Sequence, residues 1–311
     1  MALALGIEIG GTKLQVGIGD GSDDLLSLVR GSVDASRGAG GVRETIDALI
    51  KQAIKQANVS RDELAGIGVG FGGPVDSKRG RVIVSHQIAG WDDYPLAAEL
   101  EAKWKLPVRL QNDASTAALA EAMLGAGRGC ERIFYITVGS GVGGGLVTRG
   151  MIDEGQGLGA GEIGHTWVPH PRTGEAVLLE SLASGWAIAR RAHDAQVFGD
   201  EPAEKATGQR VLEAARHGDE RATKVIRESA QALAVGVNNV IALLCPEKVI
   251  VGGGVSLMGD IWWQPLREAV ARRMFKPFAG KCALEPAALG EAVVVLGAVR
   301  VGLGDSAAGP R

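Results

Sequence analysis

The 311-residue sequence has few cysteines and no long apolar segment. Its three cysteines, Cys130, Cys245 and Cys282, lie far apart and form no CxxC pair, which argues against a disulfide framework or a zinc cluster. No apolar stretch approaches the roughly 20 residues that span a bilayer. The apolar start of the chain lacks a basic region and is interrupted by Glu8, unlike a signal peptide. We therefore expect a cytoplasmic protein with reduced thiols.

The chain also lacks a strong charge of either sign. The net charge is −3, with 22% charged residues, so no general attraction to nucleic acid or to an anionic membrane is expected. Any phosphate-binding site must therefore be formed by a local group of residues and not by the overall charge of the protein. The hydrophobic fraction of 46% is enough for a packed core, and the length favours two domains of ordinary size.

Apolar residues recur in two patterns. Short runs bounded by glycine predict strands, and apolar residues at helical spacing predict helices. The predicted strands cover residues 5–9, 14–18, 64–71, 108–111, 133–138, 145–147 and 248–251. The predicted helices cover residues 42–56, 96–104, 114–124, 179–195, 208–217 and 222–245. This alternation indicates α/β domains with mostly buried sheets.

The sequence is rich in glycine, with 47 residues, and the glycines cluster after predicted strands. The first cluster, Gly10-Gly11-Thr12-Lys13, offers backbone N–H groups, a hydroxyl and a positive charge to an anion. It nearly matches a Walker A motif, but the Lys-Thr order is reversed and a strand follows, which disfavours a P-loop. An ordinary tight hairpin is the alternative.

The second cluster, 139–145, contains GxGxxG at Gly139, Gly141 and Gly144. A dinucleotide fingerprint requires a helix next, whereas a strand is predicted here, so a Rossmann site is disfavoured and phosphate contact is favoured.

Segments 7–16 and 136–147 share one pattern of strand, glycine turn and strand. We hypothesise two similar domains whose turns face one another across a cleft.

Polar residues follow other strands. Asp113 lies between a strand and a helix, where it could act as an N-cap or, as an ionised carboxylate at a helix N-terminus, accept a hydroxyl proton. Gly252-Gly253-Gly254 follows a strand, where open α/β sheets bind ligands, although a packing turn is equally compatible. Glu162 and His165 are three residues apart and do not form the HExxH motif of zinc proteases.

Taken together, these motifs resemble the ROK family (repressors, open reading frames and sugar kinases), in particular its glucokinase-like members. The resemblance extends from about residue 5 to residue 301. It is carried by seven segments in order, namely 6–13, 72–76, 90–91, 112–113, 139–145, 161–165 and 251–256.

The resemblance implies a two-domain, actin-like (ribonuclease H-like) α/β fold with ATP and sugar in the interdomain cleft. It implies a smaller domain over residues 1–113, completed by a helix near 291–303, and a larger domain over 114–290. The implied reaction is transfer of the ATP γ-phosphate, with Mg²⁺, to the 6-hydroxyl of glucose, with Asp113 as the general base. The implied sugar ligands are Gly73, Asn112, Asp113, Glu162, His165 and Glu180. The implied ATP ligands are Glu8, Gly10, Gly11, Thr12, Lys13, Gly139, Ser140, Gly141, Gly252, Gly253 and Gly254.

The chain departs from the family at two places. Glu8 stands where the family usually has aspartate, and its longer side chain can still reach a water bound to Mg²⁺. Many members carry a CxCGxxGC zinc motif between the positions of His165 and Glu180, but residues 166–179 contain no cysteine. We therefore predict no structural zinc.

Several alternatives stay open. The acceptor can be another hexose or an N-acylhexosamine, and polyphosphate would use the same glycine turns as ATP. A non-catalytic sugar sensor is possible, whereas a repressor is disfavoured because no DNA-binding segment precedes the first strand and the charge is acidic. A plain actin-like ATPase would hydrolyse ATP independently of sugar. The family suggests a homodimer.

Overall fold

The computed structural model describes residues 2–85 and 87–304. In these residues the strands are β1 (Leu3–Ile9), β2 (Lys13–Gly19), β3 (Leu25–Ser32), β4 (Leu64–Phe71), β5 (Val75–Asp76), β6 (Arg81–Val82), β7 (Val108–Asn112), β8 (Arg132–Val138), β9 (Val142–Thr148), β10 (Met151–Ile152), β11 (Trp167–Pro169), β12 (Ala176–Leu178), β13 (Lys248–Gly252) and β14 (Ala283–Pro286).

The helices alternate with these strands along the chain. In the same residues they are α1 (Gly38–Ala57), α2 (Leu96–Trp104), α3 (Asp113–Met123), α4 (Glu180–Ala183), α5 (Gly185–Asp194), α6 (Gly208–Arg216), α7 (Glu220–Leu244), α8 (Asp260–Arg273) and α9 (Val293–Leu303).

The chain forms two compact units. Unit 1 lies within residues 1–133, 145–161 and 287–311, and unit 2 within residues 134–144 and 162–286. The predicted boundaries, 1–113 and 114–290, stay a prediction. Within residues 2–85 and 87–304, no helix combines the length and the apolar content that crossing a membrane requires.

A five-stranded sheet in unit 1 has the order β3-β2-β1-β4-β7. β1 pairs antiparallel with β2 and parallel with β4, and β4 pairs parallel with β7. Because parallel strands end at the same edge of a sheet, the carboxyl ends of β1, β4 and β7 lie side by side. These ends carry Ile9, Phe71 and Asn112, which are register partners along that edge.

Helix α9 packs very closely on the unit 1 sheet because the contact positions are glycines. A Cβ atom on Gly6 or Gly68 would overlap backbone atoms of α9, and a Cβ on Gly297 of α9 would overlap the backbone of Thr116 in α3. Because these glycines have no side chains, the backbones of β1, β4, α9 and α3 approach closely and pack in one core. Helix α3 begins at the sheet edge just described.

A second five-stranded sheet has the order β10-β9-β8-β13-β14. Within unit 2, β13 and β14 run parallel, with Lys248 opposite Ala283. The small β11–β12 hairpin pairs Trp167 with Leu178. Helices α7 and α8 both bury apolar faces, which include Val237 and Leu266.

Most predicted elements are confirmed, with two kinds of error. The predicted strand 64–71 and helix 96–104 match β4 and α2. The predicted helix 179–195 is wrong as one element, because extended backbone at Ser184 ends α4 and the Ser184 hydroxyl caps α5. The strand β3 and the helix α8 were not predicted from the sequence. Helix α8 contains Pro265, which disrupts a helical pattern.

Candidate active site

Glu8 is a buried carboxylate near the end of β1, with 8% of the residue exposed. Lys13 Nζ lies 3.2 Å from its Oε1, and Gln15 Nε2 donates a 2.6 Å hydrogen bond to its Oε2. Burial raises the pKa of Glu8, and Lys13 and Gln15 offset this only in part. An ionised carboxylate is costly at such a site unless it is paired, so the ion pair ties Lys13 to β1.

The first glycine cluster forms the tight turn between β1 and β2. The N–H of Gly10 donates to the carbonyl of Lys13 at 2.9 Å. A Cβ on Gly11 would overlap the side-chain amide of Gln87, so only glycine allows that amide to lie over the turn. Strand β2 follows directly, which confirms that the motif is not a P-loop.

The carboxylate of Asp113 converges on the same turn. A Cβ built on Gly72 would lie 3.3 Å from Asp113 Oδ2 and 3.5 Å from Gly10 Cα. The N–H of Gly72 donates to the carbonyl of Ile9 at 2.8 Å, which holds the ends of β1 and β4 together. The two glycines therefore leave room for a carboxylate beside a turn rich in backbone N–H groups. Unit 1 brings together Glu8, the 10–13 turn and Asp113.

Asn112, and not Asp113, is the N-cap of α3. Asn112 Oδ1 accepts the N–H groups of Ala114 at 2.9 Å and Ser115 at 3.1 Å. Its Nδ2 donates to the carbonyl of Gly73 at 3.2 Å. Asp113 is the first residue of the helix, and its Oδ1 accepts the Ala114 N–H at 2.8 Å. Because Asn112 supplies the cap, Asp113 Oδ2 is directed toward the glycine turn.

In unit 2, Gly139–Gly141 of the second glycine cluster form the turn between β8 and β9. The N–H of Gly139 donates to the carbonyl of Gly141 at 2.9 Å. The N–H of Gly185, at the start of α5, donates to the carbonyl of Gly139 at 2.7 Å. The strand β9 begins at Val142, so the helix of a dinucleotide fingerprint is absent, as predicted.

Glu180 lies against this second turn. Its Oε2 accepts the N–H of Val142 at 2.8 Å, and a Cβ on Gly141 would lie only 2.5 Å from the same oxygen. Among residues 2–85 and 87–304, Glu180 Oε1 makes no hydrogen bond. One oxygen of Glu180 therefore orients the carboxylate, and the other is available to a ligand.

The segment that carries Glu162 and His165 packs on the same turn. A Cβ on Gly164 would overlap the carbonyl of Val142, and Ile163 beside it is buried. Glu162 and His165 are both exposed, and within the described residues neither side chain has a hydrogen-bond partner. The buried middle of the segment thus anchors two exposed polar groups.

The Gly252-Gly253-Gly254 turn adjoins the end of β8. Gly253 has a φ of 86°, and a Cβ there would lie 2.5 Å from the carbonyl oxygen of Val138. Both the conformation and the contact require glycine. Among the residues that the structure describes, and apart from the two chain neighbours of each glycine, no atom lies within 4 Å of a Cβ built on Gly254 or on Gly139. The third glycine cluster therefore adjoins the second one and leaves open space beside it.

Two polar groups of the unit 1 site were missed from the sequence. Gln15 binds Glu8 and also donates to the carbonyl of Glu291 at 3.0 Å, and Lys13 Nζ lies 3.5 Å from that carbonyl. The available signal was a polar residue in an apolar strand, two positions after Lys13 and hence on the same face. Gln87 had no comparable signal.

The described residues contain no group of three or more His, Cys, Asp or Glu side chains that could hold a metal ion. This holds for the segment between His165 and Glu180, which lacks the cysteines that a tetrahedral zinc site needs. Zinc therefore does not fit these residues.

Comparisons with known proteins identify close relatives. The ROK family profile matches residues 4–302. A glucokinase of Thermotoga maritima is 33% identical over 96% of each chain. A ROK hexokinase structure from Thermus thermophilus has a TM-score of 0.81 at 32% identity and covers 97% of this chain and 98% of that one. A ROK glucokinase structure from Streptomyces griseus, in complex with glucose and AMPPNP, has a TM-score of 0.80 at 30% identity and covers 97% and 99%.

Proposed function

Because the chain belongs to the ROK family, we propose that this sugar kinase transfers the γ-phosphate of ATP to the 6-hydroxyl of glucose, with Asp113 as the general base. Its fold is the two-domain, actin-like α/β fold predicted from the sequence. Glucose and ATP are proposed because the relatives include glucokinases, one of them bound to glucose and AMPPNP. The observation that carries the proposal is the position of Asp113 Oδ2 beside Gly10 and Gly72.

The chemistry assigned to Asp113 is removal of a proton. Phosphoryl transfer depends on placing an attacking oxygen in line with the leaving oxygen and on balancing the charge of the phosphoryl group. Asp113 accepts the proton of the sugar hydroxyl as the O–P bond forms, and the bond to the ADP oxygen breaks. A carboxylate at the first residue of a helix is favoured as the ionised base by the helix dipole.

The glycine turns are proposed to bind the phosphates of ATP. Their backbone N–H groups approach an anion closely because no side chain intervenes. The turns at Gly10–Lys13 and Gly139–Gly141 take the phosphates, and Gly252–Gly254 adjoins the adenosine. Bound with ATP, Mg²⁺ would supply positive charge that offsets the charge of the transferred group. Glu8 would help to hold that ion together with ATP, and the described residues contain no group of three or more His, Cys, Asp or Glu side chains that could hold it alone.

The polar residues of unit 2 are proposed to bind the sugar. Glu162 and His165 are exposed and Glu180 presents Oε1, so three hydrogen-bonding groups are available to hydroxyls. Asn112 and Gly73 bind one another, and we assign them to positioning the acceptor beside Asp113. A site built from polar groups discriminates strongly among sugars, because a missing hydroxyl leaves a group without a partner.

The test is ADP release measured over a panel of hexoses with the wild type and Asp113→Asn. We expect the variant to keep sugar binding and to lose about 10²–10⁴-fold in kcat, as is typical when a general base is removed. Asp260→Asn is the matched control, because Asp260 is also the first residue of a helix. A wild-type kcat in Asp113→Asn would refute the assignment of Asp113 as the general base. Equal rates of ADP release with and without sugar would refute the proposed sugar kinase activity.

Two further predictions accompany this function. We propose a homodimer, which sedimentation of the purified protein would test. We also propose a cytoplasmic location, which fractionation of the source cells would test.

A further inference from the structure

Helix α4 is too short to be stable by itself, since it has four residues and begins with Glu180. A single helical turn forms few internal hydrogen bonds for the residues that it orders. Its carbonyl groups instead accept hydrogen bonds from side chains of other helices. Arg190 Nη2 donates to Ser181 at 3.2 Å, Arg191 Nη1 to Leu182 at 3.3 Å, and Ser229 Oγ to Ala183 at 3.4 Å.

One of these contacts, that of Arg191 with Leu182, depends on Glu228 of α7. Arg191 Nη2 donates to Glu228 Oε2, and the two side chains are each only 10% exposed. Burial lowers the pKa of Arg191, and the Glu228 carboxylate counteracts that effect. An arginine that is removed from water requires such a partner. Glu228 therefore keeps the guanidinium of Arg191 in place beneath α4.

Glu228 also binds the segment that precedes α4. Arg172 lies in the loop between β11 and β12, and its Nη2 is 3.7 Å from Glu228 Oε2. The N–H of Leu179 donates to the carbonyl of Thr166 at 2.8 Å, which closes the base of the same hairpin. One carboxylate thus interacts with both the hairpin after His165 and the helix that carries Glu180.

We propose that Glu228 is a positioning residue for Glu180, and that the Arg172–Glu228–Arg191 cluster braces a segment in which zinc does not fit. This proposal depends on the proposed function, because it requires that Glu180 binds the sugar. The brace lies behind α4 and holds the helix by its carbonyl groups, while the carboxylate of Glu180 lies against Val142. If the brace is removed, α4 shifts and Glu180 no longer meets the sugar in one orientation.

The test is the Glu228→Gln variant, with kinetics and calorimetric sugar binding as readouts. We expect the KM and the Kd for glucose to rise at least tenfold, while the KM for ATP stays within threefold. The matched control is Glu201→Gln, which removes a carboxylate from the more exposed pair with Arg210 in the same unit. The control should leave every one of these constants within twofold.

A double variant separates positioning from stability. Glu228→Gln with Arg191→Met replaces the buried ion pair by neutral groups, which often restores stability because no unpaired charge stays buried. We expect its thermal midpoint to recover while its KM for glucose stays high. A KM that recovers together with the midpoint would overturn the positioning role.

Glu180→Ala distinguishes failure of the brace from failure of the sugar contact. If Glu180→Ala raises the KM for glucose but Glu228→Gln does not, the brace is refuted and the sugar contact stands. If Glu180→Ala leaves the KM for glucose unchanged, the assignment of Glu180 as a sugar ligand is wrong. The brace then has no role in sugar binding. One zinc per chain in the purified protein would also overturn the proposal.

Discussion

Glu121 of α3 is fully buried, and its carboxylate accepts three backbone N–H groups. Oε1 accepts from Ala288 at 2.9 Å and from Leu289 at 3.0 Å, and Oε2 accepts from Ala126 at 2.8 Å. The carboxylate thus joins the end of α3 to the chain that leads into α9. The perturbation that tests this arrangement most directly is Glu121→Gln, which keeps the shape of the side chain.

The cost of this substitution follows from the hydrogen bonds. Hydrogen bonds to a charged group contribute about 1.5–3 kcal/mol each, and neutral ones about 0.5–1.5 kcal/mol. A glutamine can keep its oxygen toward Ala288 and Leu289, but its NH₂ group then faces the N–H of Ala126. Two bonds become neutral and one is lost, so we expect a destabilisation of about 4 kcal/mol. This is a large share of the roughly 5–15 kcal/mol that stabilises a folded protein.

Urea unfolding of the whole chain provides the assay. With a slope of about 2 kcal/mol per molar urea, the expected loss lowers the unfolding midpoint by about 2 M. Glu213→Gln is the control, because Glu213 is an exposed helical glutamate that accepts one hydrogen bond from Gln209. Its midpoint should change by less than about 0.3 M, as for most surface substitutions. An equally small change in Glu121→Gln would refute the reasoning.

Three further substitutions are expected to change stability, two of them upward and one downward. Burial raises the pKa of Glu8 above its ordinary value of 4.5, so the folded state binds more protons than the unfolded state just above pH 4.5 and loses stability as the pH rises. The melting temperature of Glu8→Gln, measured relative to that of the wild type, should therefore rise as the pH increases from 4.5 until the wild-type carboxyl group is ionised. A difference that falls with increasing pH would contradict this. Gly68→Ala should cost about 3 kcal/mol, because its Cβ would overlap the Ala298 carbonyl of α9. Gly40→Ala within α1 should instead stabilise by about 0.5–1 kcal/mol, and calorimetry that finds equal midpoints for the two alanine variants would refute the close approach of α9.

Local patterns in the sequence were sufficient to predict most elements and the type of each glycine turn. The strand β4 was predictable because a continuous apolar run ends at glycine, and α2 because its apolar residues recur at helical spacing. The residues that follow the glycine turns at Lys13 and Val142 continue as strands, which is a property of the local sequence. These features depend on neighbours along the chain, so they are visible without the fold.

Contacts between distant residues were decided only by the tertiary structure. The sequence could not assign the α3 cap to Asn112, because both Asn112 and Asp113 are suitable caps and the choice depends on Gly73 and Gly72. Nothing in the sequence distinguished Glu228 from the many other glutamates in helices. Its role arises from burial against Arg191 and α4, and burial depends on how the chain packs far from the residue itself.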